Sequence, residues 1–176
     1  MIKSDLYRYT NSGKNFLSAF LTIPGFRFTC LYRWCRHYSK INPLGIFCRL
    51  WFKRLQVKYG YQIPHTCKIG KGLFLGHYGN IVINQRVIIG NHCNIAQGVT
   101  LGFVSRGSLK GCPKIGDRVW IGANAVIVGN IVIGNDVLIS PLSFVNFNVP
   151  DRAVVSGNPA SIINYNSSEG YVKNIH

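Results

Sequence analysis

His77 sits among small and polar neighbours, Gly76-His77-Tyr78-Gly79-Asn80, and is the residue of this 176-residue chain best placed to do chemistry. An imidazole that titrates near neutral pH can take the proton of a hydroxyl as its oxygen attacks an electrophile, and the two glycines leave room for a substrate beside the ring. Counting back by sixes from Ile83 puts His77 in an otherwise apolar series, where a lone histidine is more often a hydrogen-bonded core residue. Its polar surroundings turn the reading towards function. No metal is expected. His65, His77 and His92 form no recognisable three-histidine cluster, and Cys30, Cys35, Cys48, Cys67, Cys93 and Cys112 contain no CxxC pair or zinc spacing. They read as free thiols, with Cys93 in the core.

Around His77 the apolar residues repeat every six positions. Ile63, Ile69, Leu75, Ile81, Val87, Cys93 and Val99 form one series. Ile83, Ile89, Ile95 and Leu101 form a second, resumed as Ile115, Ile121, Ile127, Ile133, Ile139 and Val145. That period belongs neither to a helix nor to simple alternation along a strand. It predicts a short strand and a corner repeated as a solenoid, each rung burying its inward face against the next. Pairs such as Gly90-Asn91, Gly116-Asp117 and Gly134-Asn135 supply corner residues that accept tight or left-handed backbone. Between Leu101 and Ile115 the spacing is 14, and residues 102–114, rich in Gly, Ser, Pro and Lys, are expected to loop outward as a functional insertion.

A chain that is 47% hydrophobic and 14% charged reads as a folded unit, with a helical extension over 1–60, the solenoid over 61–165 and a tail over 166–176. Residues 1–60 carry eleven Lys/Arg and one acid, most of a net charge of +15. There Phe28, Leu31, Cys35 and Tyr38, then Leu44, Phe47, Cys48, Trp51 and Leu55, follow helical spacing. Arg33, Arg36, Lys40, Arg49, Lys53, Arg54 and Lys58 punctuate them, and Pro24 and Pro43 mark the breaks between helices. Such helices either pack on the solenoid or on a neighbouring subunit, or rest on an anionic membrane surface. No nucleic-acid module is present, and no apolar run reaches about 18–20 residues. The start lacks a signal-peptide pattern, so the expected location is the cytoplasm, up to the inner face of the membrane.

The run Ile63-Pro64-His65-Thr66-Cys67-Lys68-Ile69-Gly70-Lys71-Gly72-Leu73-Phe74-Leu75-Gly76-His77 is continued by Gly79-Asn80-Ile81-Val82-Ile83-Asn84 and Gln97-Gly98-Val99-Thr100-Leu101-Gly102. With Lys114-Ile115-Gly116-Asp117 and Gly157-Asn158-Pro159-Ala160, it resembles the serine acetyltransferase branch of the hexapeptide-repeat acyltransferases. The opening Asp5-Leu6-Tyr7-Arg8-Tyr9-Thr10, with Pro24-Gly25-Phe26-Arg27-Phe28 and the closing Ser168-Glu169-Gly170-Tyr171, looks more like the O-acetyltransferases of capsule and exopolysaccharide synthesis. The resemblance implies a mainly β protein, a left-handed parallel β-helix, assembled as a homotrimer that binds acetyl-CoA between subunits. It matches His77 to the family's general base. It also matches Gly102, Phe103 and Ala123 to main-chain contacts with the pantetheine arm. Arg106, Lys110, Lys114 and Arg152 become candidates for the CoA phosphates. Pro141 stands where the family usually has alanine and has no N–H to donate.

Departures from the serine-specific pattern redirect the acceptor. Gln62 replaces the aspartate that orients the base, and Gly76 the aspartate directly before it. Gly111-Cys112 replaces an Arg-His pair that would hold the carboxylate of serine, and Gln85 a glutamate. A neutral pocket of Asn80, Asn84, Gln85 and Cys112 suits an uncharged hydroxylated acceptor. The sequence thus points to an acetyl-CoA-dependent O-acetyltransferase acting on a saccharide hydroxyl during surface polysaccharide synthesis, on an acceptor that is lipid-linked, nucleotide-linked or polymeric. Serine O-acetyltransferase and a non-catalytic solenoid binding protein are the alternatives.

Overall fold

A computed structural model describes residues 1–10 and 15–175, so residues 11–14 of the expected extension and 176 of the expected tail lie outside the described residues. Four helices come first: α1 (Ile2–Thr10), α2 (Phe16–Thr22), α3 (Pro24–His37) and α4 (Pro43–Tyr59). Pro24 and Pro43 open α3 and α4, where a missing N–H is no loss. The Asn15 and Asn42 side chains cap α2 and α4, and Gly60, at φ 74°, ends α4 in the left-handed region.

The strands are β1 (Tyr61–Gln62), β2 (Lys68–Ile69), β3 (Phe74–Leu75), β4 (Ile81–Ile83), β5 (Ile88–Ile89), β6 (Asn94–Ile95), β7 (Thr100–Gly102), β8 (Lys114–Ile115), β9 (Trp120–Ile121), β10 (Val126–Val128), β11 (Val132–Ile133), β12 (Leu138–Ile139), β13 (Phe144–Val145), β14 (Val154–Gly157) and β15 (Ala160–Asn164). Every third strand stacks on the last. This gives three sheets, β1-β4-β7-β10-β13, β2-β5-β8-β11 and β3-β6-β9-β12-β14-β15, wound as a triangular coil. All pairings between these strands are parallel except the final β14–β15.

Register exposes two irregularities. Val126 pairs with Phe144, so a regular coil takes 18 residues, or three hexads. Ile88 pairs with Lys114, 26 residues on, and the eight surplus residues form the insertion in 102–114. It is an ordered hairpin, with Val104 and Gly111 bridged antiparallel and the Leu109 carbonyl receiving the Asn130 N–H at 2.9 Å. Tyr61 pairs with Ile81, 20 residues on. Because Ile69 stacks on Ile89 and Leu75 on Ile95, the two surplus residues lie between Leu75 and Ile83. The first apolar series is therefore two series joined at a slip. Ile63, Ile69 and Leu75 share the slot of Ile83, Ile89 and Ile95, while Tyr61, Cys67 and Leu73 share that of Ile81, Val87 and Cys93, and all are buried. This corrects the position expected for His77. It fills no inward slot, because the longer corner pushes it out, where it is exposed.

The first coil has no coil above it to receive its carbonyls, and helix side chains fill that role. Arg33 donates to the Ile69 carbonyl at 2.8 Å, Arg36 to that of Cys67 at 2.6 Å and Gln56 to that of Ile63 at 3.0 Å, while the Tyr32 hydroxyl also donates to Cys67. Apolar packing runs on without a break from Phe28, Phe52 and Tyr59 into Tyr61 and Ile63. Several cations that read as surface punctuation are thus structural. Arg49, too, is spent within the helices, donating to the Cys35 and Gly45 carbonyls at 2.9 and 3.0 Å.

Candidate active site

His77 stands on the corner between the third sheet and the first. The Tyr61 hydroxyl donates to its carbonyl at 2.7 Å and pins the extended corner to β1, the strand that opens the same coil. Two small cavities meet at this residue. One, about 230 Å³, is bounded by Phe74, Gly76, Asn94, Ala96, Gln97, Trp120, Ala123 and Pro141. The other, about 220 Å³, lies under the helices, between Tyr9, Pro24, Gly25 and Tyr78. Helix α1 is held there by the Tyr9 hydroxyl, which receives the Leu75 N–H at 2.8 Å. Gly25 lets α3 start against the coil, since a Cβ at that position would lie 2.2 Å from the Leu75 carbonyl oxygen.

Among the described residues, no carboxylate reaches His77. Of the chain's five acids, Asp5 is buried against Arg33, and Asp136 pairs with Arg118 at 2.6 Å. Asp117 and Asp151 belong to a ladder on another corner, where each accepts a main-chain N–H from the coil before: Asn91 to Asp117 at 2.7 Å and Asn135 to Asp151 at 2.7 Å. Glu169 lies exposed in the tail. Gln62, which the resemblance puts in place of an orienting aspartate, makes no hydrogen bond to His77 among the described residues.

A cleft of about 1020 Å³ opens at the next corner, between the first sheet and the second. It collects Gln62, Asn80, Asn84 and Gln85 with Gly102 and Phe103, and α4 forms its far wall through Lys53, Gln56 and Val57. The Asn84 side chain is partly committed, accepting the Arg86 N–H at 3.0 Å. Lys53 is the one charged side chain lining the cleft among the described residues, and the Arg86 guanidinium lies 5.3 Å over the Phe103 ring at its rim.

The remaining expected residues are dispersed. Cys112 packs against the core rather than in the cleft, and burial pushes its thiol up, so it is not an activated nucleophile. Ala123 lies in the His77 groove, one corner away from Gly102 and Phe103. Arg106 and Lys110 are exposed on the hairpin, and Lys114 is exposed on β8. Arg152 is exposed on the corner of the Asn/Asp ladder, donating its N–H to the Asn135 carbonyl at 2.8 Å. Within one chain these residues therefore do not converge. Lys53, Gln56, Arg86, Gln97 and Trp120 went unforeseen as site residues. Arg86 had a signal, as the next corner residue after Asn84-Gln85. The α4 residues had none, because the docking of a helix on the coil leaves no trace in periodicity.

Residues 112–146 match the family model described as bacterial transferase hexapeptide (six repeats). The serine acetyltransferase of Synechococcus elongatus is 34% identical over 152 residues, which cover 86% of this chain and 62% of that protein. The chain thus spans about three fifths of that relative, and 34% of the serine acetyltransferase 2 of Arabidopsis thaliana. Among solved structures, the Neisseria gonorrhoeae serine acetyltransferase in complex with serine is 31% identical, with a TM-score of 0.72 over 93% of this chain and 67% of that one. The Brucella abortus serine acetyltransferase in complex with coenzyme A is 29% identical, with a TM-score of 0.75 over 93% and 66%. These likenesses bear out the left-handed β-helix with its N-terminal helices. They lend no support to the capsule-type likeness of the two termini. The chain belongs to the hexapeptide-repeat acyltransferase family, in its serine acetyltransferase-like branch.

Proposed function

We propose that the protein transfers an acetyl group from acetyl-CoA to a hydroxyl, with His77 as general base. One observation carries this reading: an exposed imidazole, set out on an enlarged corner, opens onto a narrow groove floored by Gly76, Ala96 and Ala123 and walled by Phe74 and Trp120. Small residues on the floor leave a slot that fits a slender arm, and the aromatic walls exclude water from one side. Bound acetyl-CoA would supply a thioester carbonyl as electrophile. His77 takes the acceptor's proton, and the Tyr61 hydroxyl fixes the main chain that carries it. The groove at His77 and the cleft at Phe103 lie on different corners, so a homotrimer that sets one chain's corner against the next chain's cleft would complete each site.

Serine is the acceptor that the relatives support, and Lys53 is the cation at hand for its carboxylate. A saccharide hydroxyl is the second reading, favoured by the side-chain amides of Gln62, Asn80, Asn84 and Gln85 that line the cleft and match a neutral polyol. The test is CoA release from acetyl-CoA with serine, with nucleotide sugars and with polysaccharides. Release with serine alone establishes the first acceptor, release with a saccharide the second, and release with none removes the O-acetyltransferase reading.

A further inference from the structure

Helix α4 buries Gly45, Cys48, Phe52, Leu55 and Tyr59 on one side. At 100° per residue the opposite arc carries Ile46, Phe47, Leu50 and Val57, interleaved with Lys53, Arg54 and Lys58. Phe47, Leu50 and Val57 are 58%, 66% and 82% exposed. Helix α2, held beside α4 by Phe20 against Trp51 with ring centroids 5.7 Å apart, adds Leu17 and Leu21, each 62% exposed. From residue 15 to residue 60 the chain contains no Asp or Glu.

We propose that this face docks the protein on an anionic lipid surface. A second copy related by a two-fold axis is a poor occupant, because that self-complementary contact would set Lys53, Arg54 and Lys58 against their own copies with no carboxylate between them. An anionic interface satisfies both halves of the pattern: the acyl boundary takes Phe47, Leu50 and Val57, and the head groups meet the cations. The helix lies in the surface rather than across it, since no described helix is long and apolar enough to cross a membrane. Lys53 and Val57 also line the large cleft, so the cleft opens at the edge of the docked face. Lipid binding is independent of acceptor chemistry and can be measured without it.

The full chain is floated with vesicles of phosphatidylcholine alone and of phosphatidylcholine mixed with phosphatidylglycerol. Binding is expected to the anionic vesicles only, and to weaken as added salt shortens the Debye length. Arg54→Glu with Lys58→Glu should lower partitioning by roughly twentyfold or more, about fivefold per basic residue at the surface. Phe47→Ser with Leu50→Ser should lower it by about tenfold or more. These side chains are exposed, so circular dichroism and CoA release with a soluble acceptor stay unchanged. Equal binding to both vesicles, or binding to neither, overturns the proposal. Sedimentation in which Phe47→Ser with Leu50→Ser dissolves a larger assembly overturns it in favour of a second copy.

Discussion

The carboxylate of Asp5 meets the guanidinium of Arg33 at 2.9 Å, with 0% and 6% of the two side chains exposed. The same carboxylate receives the Gly72 N–H at 2.7 Å and the Leu73 N–H at 3.3 Å, so one buried ion pair fastens α1 and α3 to the corner leading into β3. Removing one partner strands a buried charge. Asp5→Ala is expected to lower the free energy of unfolding by about 3–5 kcal/mol, read from urea denaturation. Asp5→Leu combined with Arg33→Met should recover only part of that loss, because the Gly72 and Leu73 N–H groups and the Ile69 carbonyl lose their partners. A single-variant loss below about 1 kcal/mol, the scale of a surface pair, would show that the charge finds water instead.

His77→Ala should reduce kcat by about 10²–10⁴-fold and leave the KM for acetyl-CoA nearly unchanged, because proton removal is lost while the groove remains. Steady-state kinetics decide the matter. A variant within about threefold of the parent would show that His77 is not the base.

Lys53→Ala separates the two acceptors. If Lys53 holds a carboxylate, the KM for serine should rise by about tenfold with kcat held, and turnover of a saccharide should not change. Restoring an Arg-His pair at 111–112 is a poorer test. Gly111 has φ 143°, and a Cβ there would lie 2.7 Å from Asn130 Cβ, so the larger side chain strains the hairpin whatever it binds.

Stability should fall on mild acidification. His92 is buried, and its Nδ1 has no hydrogen-bond partner among the described residues; burial, then Arg8 and Lys71, hold its imidazole below the usual 6.5. The folded chain therefore keeps His92 neutral while the unfolded chain takes up a proton. That contribution is complete above about 6.5 and is lost as pH falls towards the lower folded value. His65 shifts the same way, by burial first. Melting curves recorded across this window should show the decline, and His92→Asn, which also tolerates the φ of 57°, should flatten part of it. A variant whose pH slope equals the parent's would assign the decline elsewhere.

The solenoid was legible because period six admits no other regular structure, and the hairpin because 14 is no multiple of six. The slip at His77 was not. Each hexad buries two slots, two residues apart, so a two-residue insertion hands one apolar series over to the other and leaves the pattern unbroken. The docking of α1 on the coil was hidden for a related reason. The helix's buried residues are Asp5 and Arg8, polar groups that satisfy the coil's main chain, and a search for apolar periodicity passes over them. The dispersal of Arg106, Lys114 and Arg152 over different sides of the coil was equally unreadable, since spacing along a solenoid gives the slot but not the neighbouring subunit.

Both ends of the coil are covered in part. Arg33, Arg36, Gln56 and Tyr32 occupy the carbonyls at the first rung, and β15 runs antiparallel to β14 at the last. A stack of parallel rungs with bare ends is a template for adding further rungs from other molecules, as any open sheet edge is. A chain trimmed to residues 61–157 would lose both stops and should polymerise end to end into filaments, so the helices and the final strand also keep the protein a particle of finite length.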